Sequence, residues 1–124
     1  MFVLKSRTES FFYPIHLPVI AENGGTQTLR FDVSFRRISR TRLTELQQQQ
    51  ESVNEDAIPD TLSRDVDYML EIADGWRHVQ DEAGQLIPFS PENVRLMFDS
   101  YPQAAGVIVA AFFEATLGGG KRKN

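Results

Sequence analysis

The side chains of this chain that could do chemistry are two histidines, four clustered carboxylates and four clustered arginines. A metal site would need the histidines at ligand spacing, such as two on one helix face, and His16 and His78 stand far apart. There is no cysteine, which removes disulfides, thiolate sites and a cysteine nucleophile together and fits a reducing compartment. His16 falls opposite the apolar side of a predicted strand and His78 near a predicted helix end, so surface or capping roles outweigh ligation. Asp65, Asp67, Glu71 and Asp74 share one predicted helix. General acid–base work by such a group needs one carboxyl held in an apolar pocket so that its pKa rises. These four alternate around an apolar stripe instead, as on the solvated side of an amphipathic helix.

Gly118 to Lys121 superficially resembles a phosphate-cradling loop. It lacks the first-glycine spacing, a following Ser or Thr, and a downstream helix to aim amides at an anion. The Asp81-Glu82-Ala83-Gly84 turn has too few oxygens for a calcium loop. Nucleophile-elbow and dinucleotide motifs are absent, so no catalytic, metal or cofactor site and no small-molecule substrate is expected. Arg36, Arg37, Arg40 and Arg42 could contact phosphate, but no aromatic platform is interleaved with them. Pairing with acidic surface on the same chain is the preferred reading. Because cations oppose the dipole in a first helical turn, some partner for these arginines, internal or external, is expected. Among the aromatics, Trp76 and Phe112 sit on apolar stripes and read as core. Phe113 lies off the stripe and joins the arginines as a candidate partner contact.

These residues must be positioned by one domain spanning residues 1–124, a length that can bury a core without staples. Apolar residues make up 41% and charged residues 24%, ordinary for a globular chain, and the net charge of −4 argues against a dedicated nucleic-acid binder. Met1 to Arg7 is too poor in apolar residues for a signal segment, and the apolar run from Ala104 to Leu117 is too short and too interrupted for a bilayer span. A soluble, cytoplasmic protein with no membrane partner is expected.

The spacing predicts an α+β fold: an N-terminal antiparallel β-hairpin (about 10–37), a helical part of about four packed helices (about 39–118), and a flexible basic tail (119–124). Phe11, Tyr13, Ile15, Leu17 and Val19 alternate with Pro14, His16 and Pro18, which marks an edge strand. Leu29, Phe31, Val33 and Phe35 alternate beyond Asn23-Gly24-Gly25, a hairpin signal. Met1 to Lys5 could add a short strand. From Ser39 the period becomes helical, with Ser39 or Thr41 as cap and Leu43, Leu46, Gln47, Gln50 and Val53 on one side. Ser52 to Asp60 reads as a loop. A second helix is predicted from Thr61 or Ser63 through Leu62, Val66, Met69, Leu70, Ala73 and Trp76, with Gly75 allowing close packing or loosening the last turn. Ser90 as N-cap, Pro91 at the first position and Glu92 at the positive end specify a third helix carrying Val94, Met97 and Phe98. Pro102 separates it from a last helix bearing Ala104, Ala105, Ile108, Ala111, Phe112 and Ala115, which Gly118 to Gly120 should end, with Lys121 to Lys123 at its negative end.

The order of these pieces resembles the tail assembly chaperones of long-tailed (siphovirus-type) bacteriophages and prophages. The matching pieces are the proline-interrupted first strand (Pro14 to Ile20), the second strand running into Phe35-Arg36-Arg37-Ile38-Ser39, and Gly75-Trp76. They continue with the turn ending in Gly84, Pro88-Phe89-Ser90-Pro91-Glu92-Asn93, the helix with Phe112 and Phe113, and Lys123-Asn124. Gly75, Trp76, Gly84, Phe89, Ser90 and Pro91 would then be scaffold. The resemblance implies a non-enzymatic protein that holds the tape measure protein, helps the major tail protein polymerise around it, and is absent from the mature virion. It also implies that a ribosomal frameshift near Gly120-Lys121 can append a second domain. Two other readings stay open: a connector or terminator subunit that forms closed rings in the particle, and a small nucleic-acid-associated regulator using the arginines. Self-association stays open too.

Overall fold

The computed structural model describes residues 9–51 and 61–118. The predicted hairpin is present as two long strands, β1 (Ser10–Ile20) and β2 (Thr26–Arg36), in antiparallel register from Ser10 opposite Arg36 to Ile20 opposite Thr26. The reversal uses Asn23 and Gly24. The Gly24 N–H donates to the Ala21 carbonyl at 2.9 Å, Gly24 takes φ +86, and the Asn23 side-chain oxygen accepts from the Gly25 N–H at 2.8 Å. A left-handed residue at that point lets the strands leave with their natural twist, and glycine adopts it without strain.

Alternation gives the sheet two unlike faces. Ile15, Leu17, Phe31, Val33 and Phe35 are buried on one; Phe12, Pro14, His16, Pro18 and Arg30 are exposed on the other. Register continues unbroken through Pro14 and Pro18, so these residues occupy positions whose backbone polar groups turn away from β2. Consistently, the Pro18 carbonyl accepts from the Gln103 side-chain amide at 2.7 Å. Among the described residues no strand pairs with this outer edge.

Four helices follow: α1 (Arg40–Glu51), α2 (Thr61–Ile72), α3 (Pro91–Ser100) and α4 (Ala104–Thr116). Ser39 caps α1, its hydroxyl accepting from the Arg42 N–H at 3.2 Å, and the helix buries Leu43 and Leu46. Gln47 is exposed. The Tyr68 hydroxyl of α2 donates to the Leu46 carbonyl at 3.0 Å and joins the two helices. Ser90 caps α3 as expected, in extended conformation at φ −155, with its hydroxyl accepting from the Asn93 N–H at 3.2 Å and Pro91 opening the helix. The chain then bends by 112° through Tyr101, Pro102 and Gln103 into α4. Gly118, at φ +98, lies just past that helix's end, where a left-handed residue is favoured. At the centre, the Phe112 ring of α4 meets Phe35 of β2 edge-on at 5.4 Å, with both residues fully buried. The predicted strand in Met1 to Lys5, the loop from Ser52 to Asp60 including Val53, and the basic tail lie outside the described residues.

One prediction needs correction. The helical stripe through Ala73, Gly75 and Trp76 is not helix: α2 stops at Ile72, and Ala73–Arg77 forms a third strand, β3, antiparallel to β2 in the order β1-β2-β3. Asp32 opposes Arg77, Val33 opposes Trp76, Ser34 opposes Gly75 and Phe35 opposes Ala73, leaving Asp74 as an extra residue in a bulge. That bulge explains the misreading. Residues three apart share a helix face but not a regular strand face, and only the inserted Asp74 lets Ala73 and Trp76 both turn toward the core. Nor does Gly75 mark a close approach, because a Cβ there would sit at an ordinary 3.8 Å from the Ser34 side chain.

Candidate partner-binding surface

Beyond β3 the chain folds back in a short hairpin. The Ile87 N–H donates to the Val79 carbonyl at 2.8 Å and the Asp81 N–H to the Gln85 carbonyl at 2.9 Å. Its turn repeats the construction of the β1–β2 reversal: the Gly84 N–H donates to the Asp81 carbonyl at 3.0 Å and Gly84 takes φ +82. The Asp81 carboxylate secures it by accepting from the Ala83 and Gln85 N–H groups, both at 2.9 Å. His78 enters this hairpin at φ 70, a conformation histidine tolerates better than most side chains.

Trp76 holds the hairpin to the sheet. Its indole N–H donates to the Ile87 carbonyl at 2.8 Å, and its ring meets Phe89 edge-on at 5.2 Å. Phe89 leads directly into the Ser90 cap, so tryptophan, turn and helix start form one connected unit. Around that unit lie shallow grooves. One, of ≈ 370 Å³, is walled by Trp76, His78, Leu86, Pro88 and Phe89. A second, of ≈ 320 Å³, reaches Leu17, Phe31, Val79, Met97 and Tyr101. A third, of ≈ 260 Å³, runs between the hairpin and α3 past Trp76, Val79, Ile87, Leu96, Met97 and Tyr101. Leu86 at 70%, Leu96 at 57% and Tyr101 at 38% exposure form the apolar rims. Exposed apolar side chains beside grooves are a feature that polypeptide-binding and ligand-binding surfaces share.

The sequence reading did not single out Leu86, Leu96 or Tyr101. The signal was present in Leu96, an apolar residue off the stripe of Val94, Met97 and Phe98 that the core requires. Leu86 carried none, because only the folded turn sets it beside Trp76 and Phe89 at one groove.

The structure separates the other candidate contacts from these grooves. Arg42 forms a two-pronged pair with Glu71 and also reaches Glu45 at 2.8 Å. The hydrogen bonds from Arg42 outweigh desolvation and hold the Glu71 carboxyl below the usual range, while the guanidinium is pushed further up. Arg37 lies over the Phe11 ring at 4.9 Å, with Glu9 at 3.8 Å. Arg36 contributes its charge to Asp74. Burial raises the Asp74 carboxyl, but hydroxyl hydrogen bonds from Ser10 and Ser34 together with Arg36 prevail and it lies below its ordinary value. Arg40 is exposed at the start of α1. Phe113 is half-buried, stacked edge-on at 5.0 Å against Phe112, with the exposed Leu117 one turn beyond.

The carboxylates of α2 line none of these three grooves. Burial raises Asp65, with Arg64 opposing, yet Asp65 lines none of the three. Among the described residues no three His, Asp or Glu side chains come close enough to hold a metal, and no single helix is long and apolar enough to cross a membrane. On the sheet's outer face Arg77 bonds Asp32 at 2.8 Å and covers the Phe12 ring at 3.9 Å, with His78 at 3.7 Å from the same carboxylate.

Comparison with known proteins gives one finding: a family model described as phage tail assembly chaperone matches residues 1–124, the whole chain. No curated protein and no solved structure matches it.

Proposed function

Because this chain belongs to the phage tail assembly chaperone family, we propose that it binds the tape measure protein in the host cytoplasm, assists polymerisation of the tail tube around it, and leaves before the virion is complete. The family match over the whole chain carries this reading. The grooves support it physically: a client that exposes apolar helix surface needs a partner with reachable apolar walls, and Leu86, Leu96 and Tyr101 provide them. A net charge of −4 helps keep such a surface dispersed. The role is non-enzymatic, since binding and release of a polypeptide require no bond-making residue. The major tail protein is a second partner in this scheme.

Arginine pairing weighs against the nucleic-acid reading, since Arg42 and Arg37 are engaged with carboxylates on the same chain. A frameshifted longer form is a further part of the proposal. Gly120 and Lys121 lie outside the described residues, so the gene is where to test it: codons that interrupt the G-run and A-run there end that idea.

Co-expression with the tape measure protein tests the main proposal. The client should move from the insoluble to the soluble fraction and co-purify with this chain, and purified virions should lack the chain by mass spectrometry. A client that stays insoluble, or a chain found at fixed copy number in virions, overturns it.

A further inference from the structure

The groove between α3 and the hairpin has a distinctive charge pattern. Its wall contains no charged side chain. Two cations adjoin it in sequence, and both are committed elsewhere: Arg77 to Asp32 and the Phe12 ring, and Arg95 to the Ser63 hydroxyl at 3.0 Å. Exposed carboxylates flank its lining in sequence: Glu92 and Asp99 on α3 and Glu82 on the turn, while Asp81 is already bonded to the Ala83 and Gln85 N–H groups. Glu92, Leu96 and Asp99 follow one another at helical spacing, so one line of α3 reads acid, apolar, acid. Arg30 and His78 face the neighbouring groove, beyond Val79 and Gln80.

Shape narrows the occupant further. At ≈ 260 Å³ the groove has room for a few inserted side chains. The groove is lined by Trp76 and by residues of the hairpin and α3, and the backbone of α3 keeps its bonds within the helix. On the α3 side recognition therefore runs through side chains, as when a helix lies in a groove.

We propose that this groove docks an amphipathic helix of a protein client, with leucine-type anchors on one face and lysine or arginine on its flanks. The inference rests on the client-binding reading above and adds the site and the chemistry of the occupant.

The test uses the full-length chain and three labelled helical peptides of equal length. One has leucines at i, i+3, i+4 and i+7 with lysine flanks, one replaces those lysines with glutamates, and one scatters the same leucines around the helix. The lysine-flanked peptide should bind roughly tenfold more tightly than the glutamate-flanked one, and its affinity should fall as salt rises. Leu96→Glu should weaken binding at least about tenfold. Tyr101→Ser should weaken it in the same direction, while Phe12→Ser, on the opposite side of the sheet, should leave it unchanged. Leu96 and Tyr101 are exposed, so both variants should fold, as circular dichroism will verify.

Equal binding of the lysine- and glutamate-flanked peptides overturns the proposal, as does unchanged binding in both groove variants. A Leu96→Glu protein that falls from a multimer to a monomer would assign the groove to a second copy and likewise overturn it. If wild type solubilises the tape measure protein and Leu96→Glu does so equally well, the groove assignment fails and the client reading stands. If wild type does not solubilise it, the client reading fails and this proposal with it.

Discussion

Trp76 shows at the residue scale how one side chain can serve two layers of structure. Its ring packs against Phe89 while its indole N–H holds the Ile87 carbonyl. Trp76→Phe keeps most of the apolar area and loses the hydrogen bond, so it should cost about 1 kcal/mol, read as a lower urea midpoint with an unchanged slope. Glu71 makes a prediction in pH. Its carboxyl lies below the ordinary value of 4.5 because Arg42 hydrogen-bonds the charged form more than burial penalises it. A group whose folded pKa is depressed contributes stability above the unfolded pKa, and that contribution is lost as pH falls through the folded value. Urea midpoints should therefore separate wild type from Glu71→Gln near neutral pH and converge in acid, once pH has fallen through the depressed folded value. A gap that persists in acid would assign the effect to packing.

At the scale of elements, α3 stands on its first turn. Ser90→Ala removes the hydroxyl that accepts the Asn93 N–H and should destabilise the protein by about 1 kcal/mol. Ser90→Asn should recover most of that, because another good cap restores the acceptor. This element was legible in the sequence because cap, proline and acidic first turn are local signals. The β1–β2 hairpin was legible for the same reason: alternation and Asn-Gly-Gly sit side by side in the chain. The strand β3 was not. Ala73 and Trp76 matched a helical stripe, and what makes them strand is the unpaired edge of β2, supplied from forty residues upstream, roughly. The groove shares that fate, since Trp76, Val79 and Ile87 come to lie beside Leu96 and Tyr101 only in the folded chain. The arginines show the reverse: their need for counter-charges was evident, while the identity of Glu71 as the partner of Arg42 was not.

For the whole molecule, the sheet and helices are held by one buried cluster in which Phe35 and Phe112 are central. Phe112→Ala should cost about 3–5 kcal/mol, because it removes transfer energy and leaves a cavity between layers. Against a total stability of about 5–15 kcal/mol, that is a large share, and thermal unfolding should show a much lower midpoint. Leu96→Ala, at the surface, should change that midpoint little, within about 0.5 kcal/mol. The contrast separates stability, carried by the buried side of the sheet, from recognition, which we place on the rims of the grooves.

Pro14 and Pro18 have one more consequence. A molecule with an exposed outermost strand risks having that strand copied, residue by residue, into a growing fibre. With no N–H at either position, an incoming strand would find gaps where donors should be. Replacing both prolines by threonine should leave the hairpin's alternation intact while shortening the lag before thioflavin-positive fibrils form in concentrated solution. If the lag is unchanged, those rings serve some other purpose than guarding the open edge.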